Sequence, residues 1–245
     1  MGWAMAFKKT FGNKFDWKKI VGAFLLITLI LSVIYSIVKI INAPSEDMVV
    51  DESTRAKSDY VLMLVQCILG LVVMAVPSFI ERKWMISIPN YMYILYFVFL
   101  YCAIYLGEVR NFYFIIPHWD TILHAFSGAM LGALGFSLVS TLNGSKRLKL
   151  NLSPFFVSLF AFCFALSAGA LWEIYEYTFD GLLSLNMQKF ALEDGTLLIG
   201  REALADTMKD IIVDALSAFV ISVIGFLTIK KDRLAKDYEE SMSRE

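Results

Sequence analysis

Residues 205–229 read ADTMKDIIVDALSAFVISVIGFLTI, and this stretch decides the fold. From Ala215 to Ile229 it holds no charge, and with the preceding turn it reaches the length of a bilayer-spanning helix, about 20 mostly apolar residues at ~1.5 Å each. Asp206, Asp210 and Asp214 step by four along its beginning. That spacing puts all three on one helical face.

Five more such runs lie upstream, roughly at 20–41, 60–80, 89–106, 119–142 and 154–177. The chain of 245 residues is 58% hydrophobic and 18% charged, with mean hydropathy +0.63. A water-soluble domain needs far less apolar sequence. The reading is an all-α integral membrane protein, a six-transmembrane-helix bundle. It divides into a basic amino-terminal segment, 1–19, a membrane domain, 20–229, and a charged tail, 230–245.

Charge sets the expected orientation. Lys8, Lys9, Lys14, Lys18 and Lys19 precede span one; Arg82 and Lys83 follow span two; Lys146, Arg147 and Lys149 follow span four; Lys230, Lys231, Arg233, Lys236 and Arg244 follow span six. These are most of the 22 basic residues, all on one side of a six-span path. The positive-inside rule makes that side the cytoplasm, with both termini there. Acids dominate the other side, including the first outer loop, Ser45–Asp59. Trp17, Trp84 and Trp119 fall at interfaces, as aromatic belts do. Tyr101, Tyr105 and Glu108, near the end of span three, share a face and read either as part of such a belt or as lining the same cavity as the acids of the last three spans.

Ile20–Ile41 is longer than a signal-peptide core and no A-x-A pattern follows it, so it reads as a retained helix. Cys67, Cys102 and Cys163 lie inside apolar runs without CxxC spacing and read as small buried residues. A net charge of −1 points away from a nucleic-acid partner.

Punctuation agrees with the spans. Ser153-Pro154 has the form of an N-cap followed by proline in the first helical position. Ile88-Pro89-Asn90 and Ile116-Pro117-His118 open spans three and four, and Pro77 predicts a kink in span two. Ala125, Gly128, Gly132 and Gly135 share one side of span four, with Ala161, Ala165 and Gly169 on span five. Small residues so spaced predict a tight hairpin of these two spans. The longest connection, 181–204, carries several leucines and the turn signal Asp194-Gly195. It reads either as a plain loop or as a lid over the outer face.

The chemistry lies in the last three spans. His118, Asp120 and His124 begin span four; Glu173, Glu176 and Asp180 end span five; Asp206, Asp210 and Asp214 begin span six. Measured from the far end of each span, Asp120, Glu176 and Asp206 share one depth. His124, Glu173 and Asp210 share another, about 5–6 Å deeper. An aspartate near a span centre costs roughly 2.5–3.5 kcal/mol on insertion scales. Ionisable groups inside spans are therefore functional candidates. Several acids crowded together repel, and Lys209 and Arg201 look like the nearest cations. A divalent metal would resolve the conflict: zinc on imidazole and carboxylates, magnesium or manganese on carboxylates alone. The expected ligands are His124, Glu173, Asp206 and Asp210, with Asp120 or Glu176 as general base.

His118-Trp-Asp120-x-x-x-His124, Glu173-x-x-Glu176 and Asp206-Thr-x-x-Asp210, in that order, resemble the YjdF-type family of bacterial multi-pass inner-membrane proteins. The acidic last span is more loosely similar to VanZ-like membrane proteins. The likeness covers roughly 90–229, with Asp180 and Asp214 outside its pattern. It implies a helical protein of the bacterial plasma (inner) membrane and no particular reaction.

Together these features suggest a metal-dependent hydrolase or transferase, acting at the outer leaflet on a lipid or lipid-linked group. Two rivals remain open. An ion- or proton-coupled transporter would use the acids as a relay, but the inner halves of spans four to six carry no charge and no inverted repeat is visible. A non-catalytic sensor or scaffold would use them to respond to pH or cations.

Overall fold

The computed structural model describes residues 16–42, 57–84, 88–143, 152–183, 185–192 and 196–243. Lys8, Lys9, Lys14, Ser45–Arg55, the basic cluster at 146–149 and the Asp194-Gly195 turn signal lie outside the described residues. Six helices are long and apolar enough to cross a membrane. In order, α1 is Trp17–Asn42, α2 Lys57–Met74, α3 Val76–Trp84, α4 Asn90–Leu100, α5 Phe112–Ile115, α6 Trp119–Asn143, α7 Pro154–Leu183 and α8 Arg201–Met242. A π-helical segment, Tyr101–Val109, continues α4. Span two is α2 with α3, and span three is α4 with the π segment. The described residues form no strand beyond one isolated bridge between Ala191 and Leu197.

Contacts divide the chain into two compact units, Met1–Ile115 and Ile116–Glu245. The first holds spans one to three around Leu25, Leu29, Met63, Cys67, Tyr93 and Phe97. Its span two breaks at Ala75, between α2 and α3. Pro77 explains the break, because proline has no N–H to offer the carbonyl four residues back and its ring collides with it. That carbonyl belongs to Val73, and it receives the Tyr96 hydroxyl from span three at 2.7 Å. A backbone acceptor freed inside an apolar unit is thus satisfied by a neighbouring helix.

The second unit packs α6, α7 and α8 against one another, each touching both others. The Ser153 hydroxyl caps α7 by accepting the Phe156 N–H at 3.2 Å, with Pro154 as the first helical residue. Around both units the outward side chains are large and apolar: Ile27, Leu31, Val72, Phe155, Leu216 and Phe219 are all exposed. In hydrocarbon that surface carries no penalty, and the helices satisfy their own backbone groups. The protein is an all-helical, multi-pass membrane protein.

Glycines in the second unit act differently from the sequence expectation. Gly135 does join spans four and five: a Cβ there would stand 2.8 Å from the Ala161 Cα. Gly128 and Gly132 instead face span six, where added Cβ atoms would meet the Asp214 backbone and Ile221. The small-residue side of α6 therefore serves two neighbours, and it brings α8 close at the level of the acids.

Candidate metal centre

The three helices of the second unit converge on His124. Its Nδ1 lies 3.2 Å from Asp214 Oδ2. Asp214 also accepts the Ser127 hydroxyl at 3.3 Å and is 2% exposed. In the neutral tautomer with its hydrogen on Nδ1, directed to that carboxylate, Nε2 keeps its lone pair. Nε2 stands 3.8 Å from Asp120 Oδ1, 3.9 Å from Glu173 Oε1 and 3.9 Å from Asp210 Oδ2. One carboxylate from each of the three helices thus surrounds the imidazole, beyond hydrogen-bonding range of it.

Burial makes this arrangement costly. His124 is 7%, Glu173 4% and Asp210 2% exposed. Both oxygens of Glu173, and Oδ1 of Asp210, have no hydrogen-bond partner among the described residues. Buried carboxylate oxygens left without partners each forfeit their hydration without return. One atom each from Asp120, His124 and Asp210 can be chosen so that all lie within 4.8 Å of one another.

Asp120, His124 and Asp210 form an arrangement that could hold a divalent cation, while Glu173 stands outside that group. Donors around a tetrahedral ion with ~2.0–2.2 Å bonds lie about 3.3–3.6 Å apart, against 3.8 and 3.9 Å from Nε2 to the Asp120 and Asp210 oxygens and at most 4.8 Å between any two of the three donors. An imidazole whose far nitrogen donates to a carboxylate is the usual way a metal-binding histidine is oriented.

The remaining candidates of the sequence divide between the centre and its rim. Asp206 lies at the rim and meets a cation absent from the sequence reading. Lys189 Nζ is 3.2 and 3.1 Å from Asp206 Oδ1 and Oδ2, and it also bonds Asp120 Oδ2. Burial works against a charged Lys189, but the Asp120 and Asp206 carboxylates more than offset it and hold its pKa above the ordinary lysine range. Among the described residues Lys189, rather than Lys209 or Arg201, is the cation in direct contact with the acids. Glu176 is buried and accepts the Trp172 indole N–H at 2.9 Å. Asp180 takes no part in the cluster; it accepts the Met187 and Gln188 backbone N–H groups at 2.8 and 3.0 Å. His118 is exposed and its backbone turns left-handed (φ 62°) just before α6.

Asp180 explains how Lys189 arrives there. Residues 185–192 form a strap fastened at both sides. Asp180 holds it to α7, and the Gln188 amide donates to the Thr207 hydroxyl on α8 at 2.8 Å. Asn186 and Ala191 close it on itself with bonds of 2.8 and 3.0 Å, and Leu185, its first residue, is buried. Lys189 sits at φ 48°, a left-handed conformation that costs a non-glycine residue about 1–2 kcal/mol. Of the two readings of this connection, the described part is a folded strap over the acidic end of the unit.

Sequence reasoning undervalued Asp214 and missed Lys189. Asp214 was legible as the third step of the Asp206-Asp210-Asp214 ladder. Lys189 carries no periodic signal, because a loop residue's reach depends on turns that no spacing rule encodes.

The comparisons with known proteins agree with a membrane protein. A protein of Thermotoga maritima described as "Uncharacterized protein" is 31% identical over 130 residues, which cover 53% of this chain and 57% of that protein. The match thus spans little more than half the length of that relative. No solved structure matches. The model of the family described as "Predicted membrane protein (DUF2238)" matches residues 20–231, nearly the whole helical region, and the chain belongs to that family.

Proposed function

We propose that the second unit holds a divalent metal ion at His124, Asp120, Asp210 and Glu173, and that this centre carries out hydrolysis or group transfer on a lipid or lipid-linked substrate at the outer leaflet. The observation that carries the reading is the His124 ring. It is oriented by Asp214 on one side and faced on the other by three carboxylates from three helices, two of them buried and incompletely bonded.

A bound ion would polarise a phosphoryl or carbonyl oxygen, or lower the pKa of a coordinated water. The chain's own residues supply the rest. Asp214 fixes the imidazole tautomer. Glu176, beside the Trp172 indole, is placed as a general base or acid one turn beyond Glu173. The apolar faces of the three helices exclude bulk water from the deeper half of the unit. Asp206, expected from the sequence as a ligand, is paired with Lys189 and serves at the rim.

The positive-inside distribution of Lys and Arg supports placing the acidic end at the outer surface, with both termini in the cytoplasm. The YjdF-type likeness supports a bacterial inner membrane. A bilayer substrate is supported by the exposed Leu182, Leu192, Leu197 and Ile199, which lie at the end of α7 or on the connection from it to α8 and suit contact with lipid.

The test is elemental analysis of detergent-purified wild type beside His124→Ala and Asp210→Asn. The reading expects near-stoichiometric zinc or manganese in wild type and its loss in both variants. Wild type that stays metal-free after supplementation with zinc, manganese and magnesium overturns it. A folded but metal-free protein whose Asp210→Asn variant loses measured ion flux in vesicles would favour the transporter reading instead.

A further inference from the structure

We propose that the Lys189 ammonium is a resident second cation of the centre, fixed between Asp120 and Asp206 where a second divalent ion would otherwise bind, so that the centre takes one metal ion per chain. This inference rests on the metal reading above.

Asp120 supplies the geometry. Its Oδ1 faces His124 Nε2 at 3.8 Å, while its Oδ2 is bonded to Lys189. One carboxylate therefore addresses two cation positions, as bridging carboxylates do in two-metal sites, whose ions lie about 3.5–4 Å apart. At the second position Asp206 meets the ammonium with both oxygens, at 3.2 and 3.1 Å, in the manner of a carboxylate chelating an ion. Position one has imidazole and carboxylate donors; position two has carboxylates and a positive charge already in place.

The strap argues that this charge is permanent. A displaceable plug needs a loose tether. Here the residues on either side of Lys189 are fastened to α7 through Asp180, to α8 through Thr207, and to each other through Asn186 and Ala191. Lys189 itself holds a left-handed backbone, which persists only where the surroundings enforce it. Such fastening places the ammonium; it does not prepare it to leave.

Titration of the full chain in detergent with Mn2+, followed by calorimetry and electron paramagnetic resonance, tests this. Wild type is expected to bind one Mn2+ with the spectrum of an isolated ion. Lys189→Met is expected to bind two, with a spin-coupled spectrum, and Lys189→Arg to return to one. A folded Lys189→Met that still binds one, or wild type that binds two, overturns the proposal. Amine acylation of wild type read by mass spectrometry covers the case in which Lys189→Met does not fold. Lys189 should stay protected relative to exposed Lys209 both with and without Mn2+. Protection that vanishes on adding Mn2+ would make Lys189 a displaceable plug and refute a resident cation. Wild type that binds no Mn2+, Zn2+ or Mg2+ is a different failure, that of the metal reading itself.

Discussion

Replacing Asp214 by asparagine isolates the role of the imidazole's orientation. The carboxylate is 2% exposed and 3.2 Å from His124 Nδ1, on the side away from Asp120, Glu173 and Asp210. Asparagine keeps the volume and one acceptor, but its amide adds a donor that can face Nδ1. Nε2 would then become the protonated nitrogen, and a protonated Nε2 cannot bind a metal. Changing such an outer partner typically weakens metal affinity about 10–100-fold, roughly 1.4–2.8 kcal/mol. The Ser127 hydroxyl has one hydrogen to give, and its oxygen lies 2.9 Å from the His124 carbonyl oxygen and 3.3 Å from Asp214 Oδ1, so an asparagine amide is free to face either Ser127 or Nδ1. The assay is calorimetric titration of Zn2+ or Mn2+ into detergent-solubilised wild type and Asp214→Asn, with helicity matched by circular dichroism. A folded Asp214→Asn that binds as tightly as wild type would refute the argument that Asp214 sets the tautomer for a metal.

Three further substitutions, with Gly181→Ala as a control, probe the second unit and the first. Glu173→Gln removes a buried charge whose oxygens lack hydrogen-bond partners, so it should raise the thermal midpoint of metal-free protein while weakening metal binding; a lower midpoint would show that Glu173 is structural. Gly169→Ala puts a methyl group against Asp214 Oδ2 and 3.0 Å from its Cγ. It should cost about 1–3 kcal/mol and loosen metal binding, whereas Gly181→Ala, with nothing within 4 Å, should do neither in thermal melts and titrations. In the first unit, Tyr96→Phe strands the Val73 carbonyl at the Pro77 break and should cost about 1 kcal/mol or more in detergent unfolding; an unchanged midpoint would mean that another group satisfies that carbonyl.

Much of this arrangement was legible in the sequence, and the parts that were not share a physical cause. Helical periodicity is a local property, so Asp120 with His124, Glu173 with Glu176, and Asp206 with Asp210 fall on single faces by arithmetic alone. Equal depth from the span ends then placed His124, Glu173 and Asp210 at one level, where the structure brings them together around Nε2. Rotation of one helix about its axis relative to its neighbours is not local. That is why Gly128 and Gly132 turn toward span six rather than span five, and why Asp214, one turn deeper, reaches His124. Pro77 announced its break in span two, but the Tyr96 hydroxyl that repairs it lies on another helix. The strap escaped entirely. Its anchors, Asp180, Thr207 and the Asn186–Ala191 pair, are ordinary polar residues whose partners are chosen by a fold without period.

Packing around Asp214 bears on why the acids are there. Three apolar helices associate well with only small residues between them, since van der Waals contact drives close approach in lipid. At the level of the acids this unit does something else. Gly169 on α7 has its missing side chain replaced by the Asp214 carboxylate, and Gly128 on α6 admits the Asp214 backbone, where an added Cβ would be 2.9 Å from its carbonyl oxygen. Two helices thus give up side-chain volume to make room for a charged group on the third. That group then spends its contact on the far side of an imidazole whose near side faces three more carboxylates. A structural polar network would be expected to close on itself, each acceptor meeting a donor. This one closes at Asp214, Ser127 and Lys189 and stays open at Glu173 and Asp210. Both open carboxylates stand beside the imidazole, at 3.9 Å from Nε2, which is where the proposed ion would meet them.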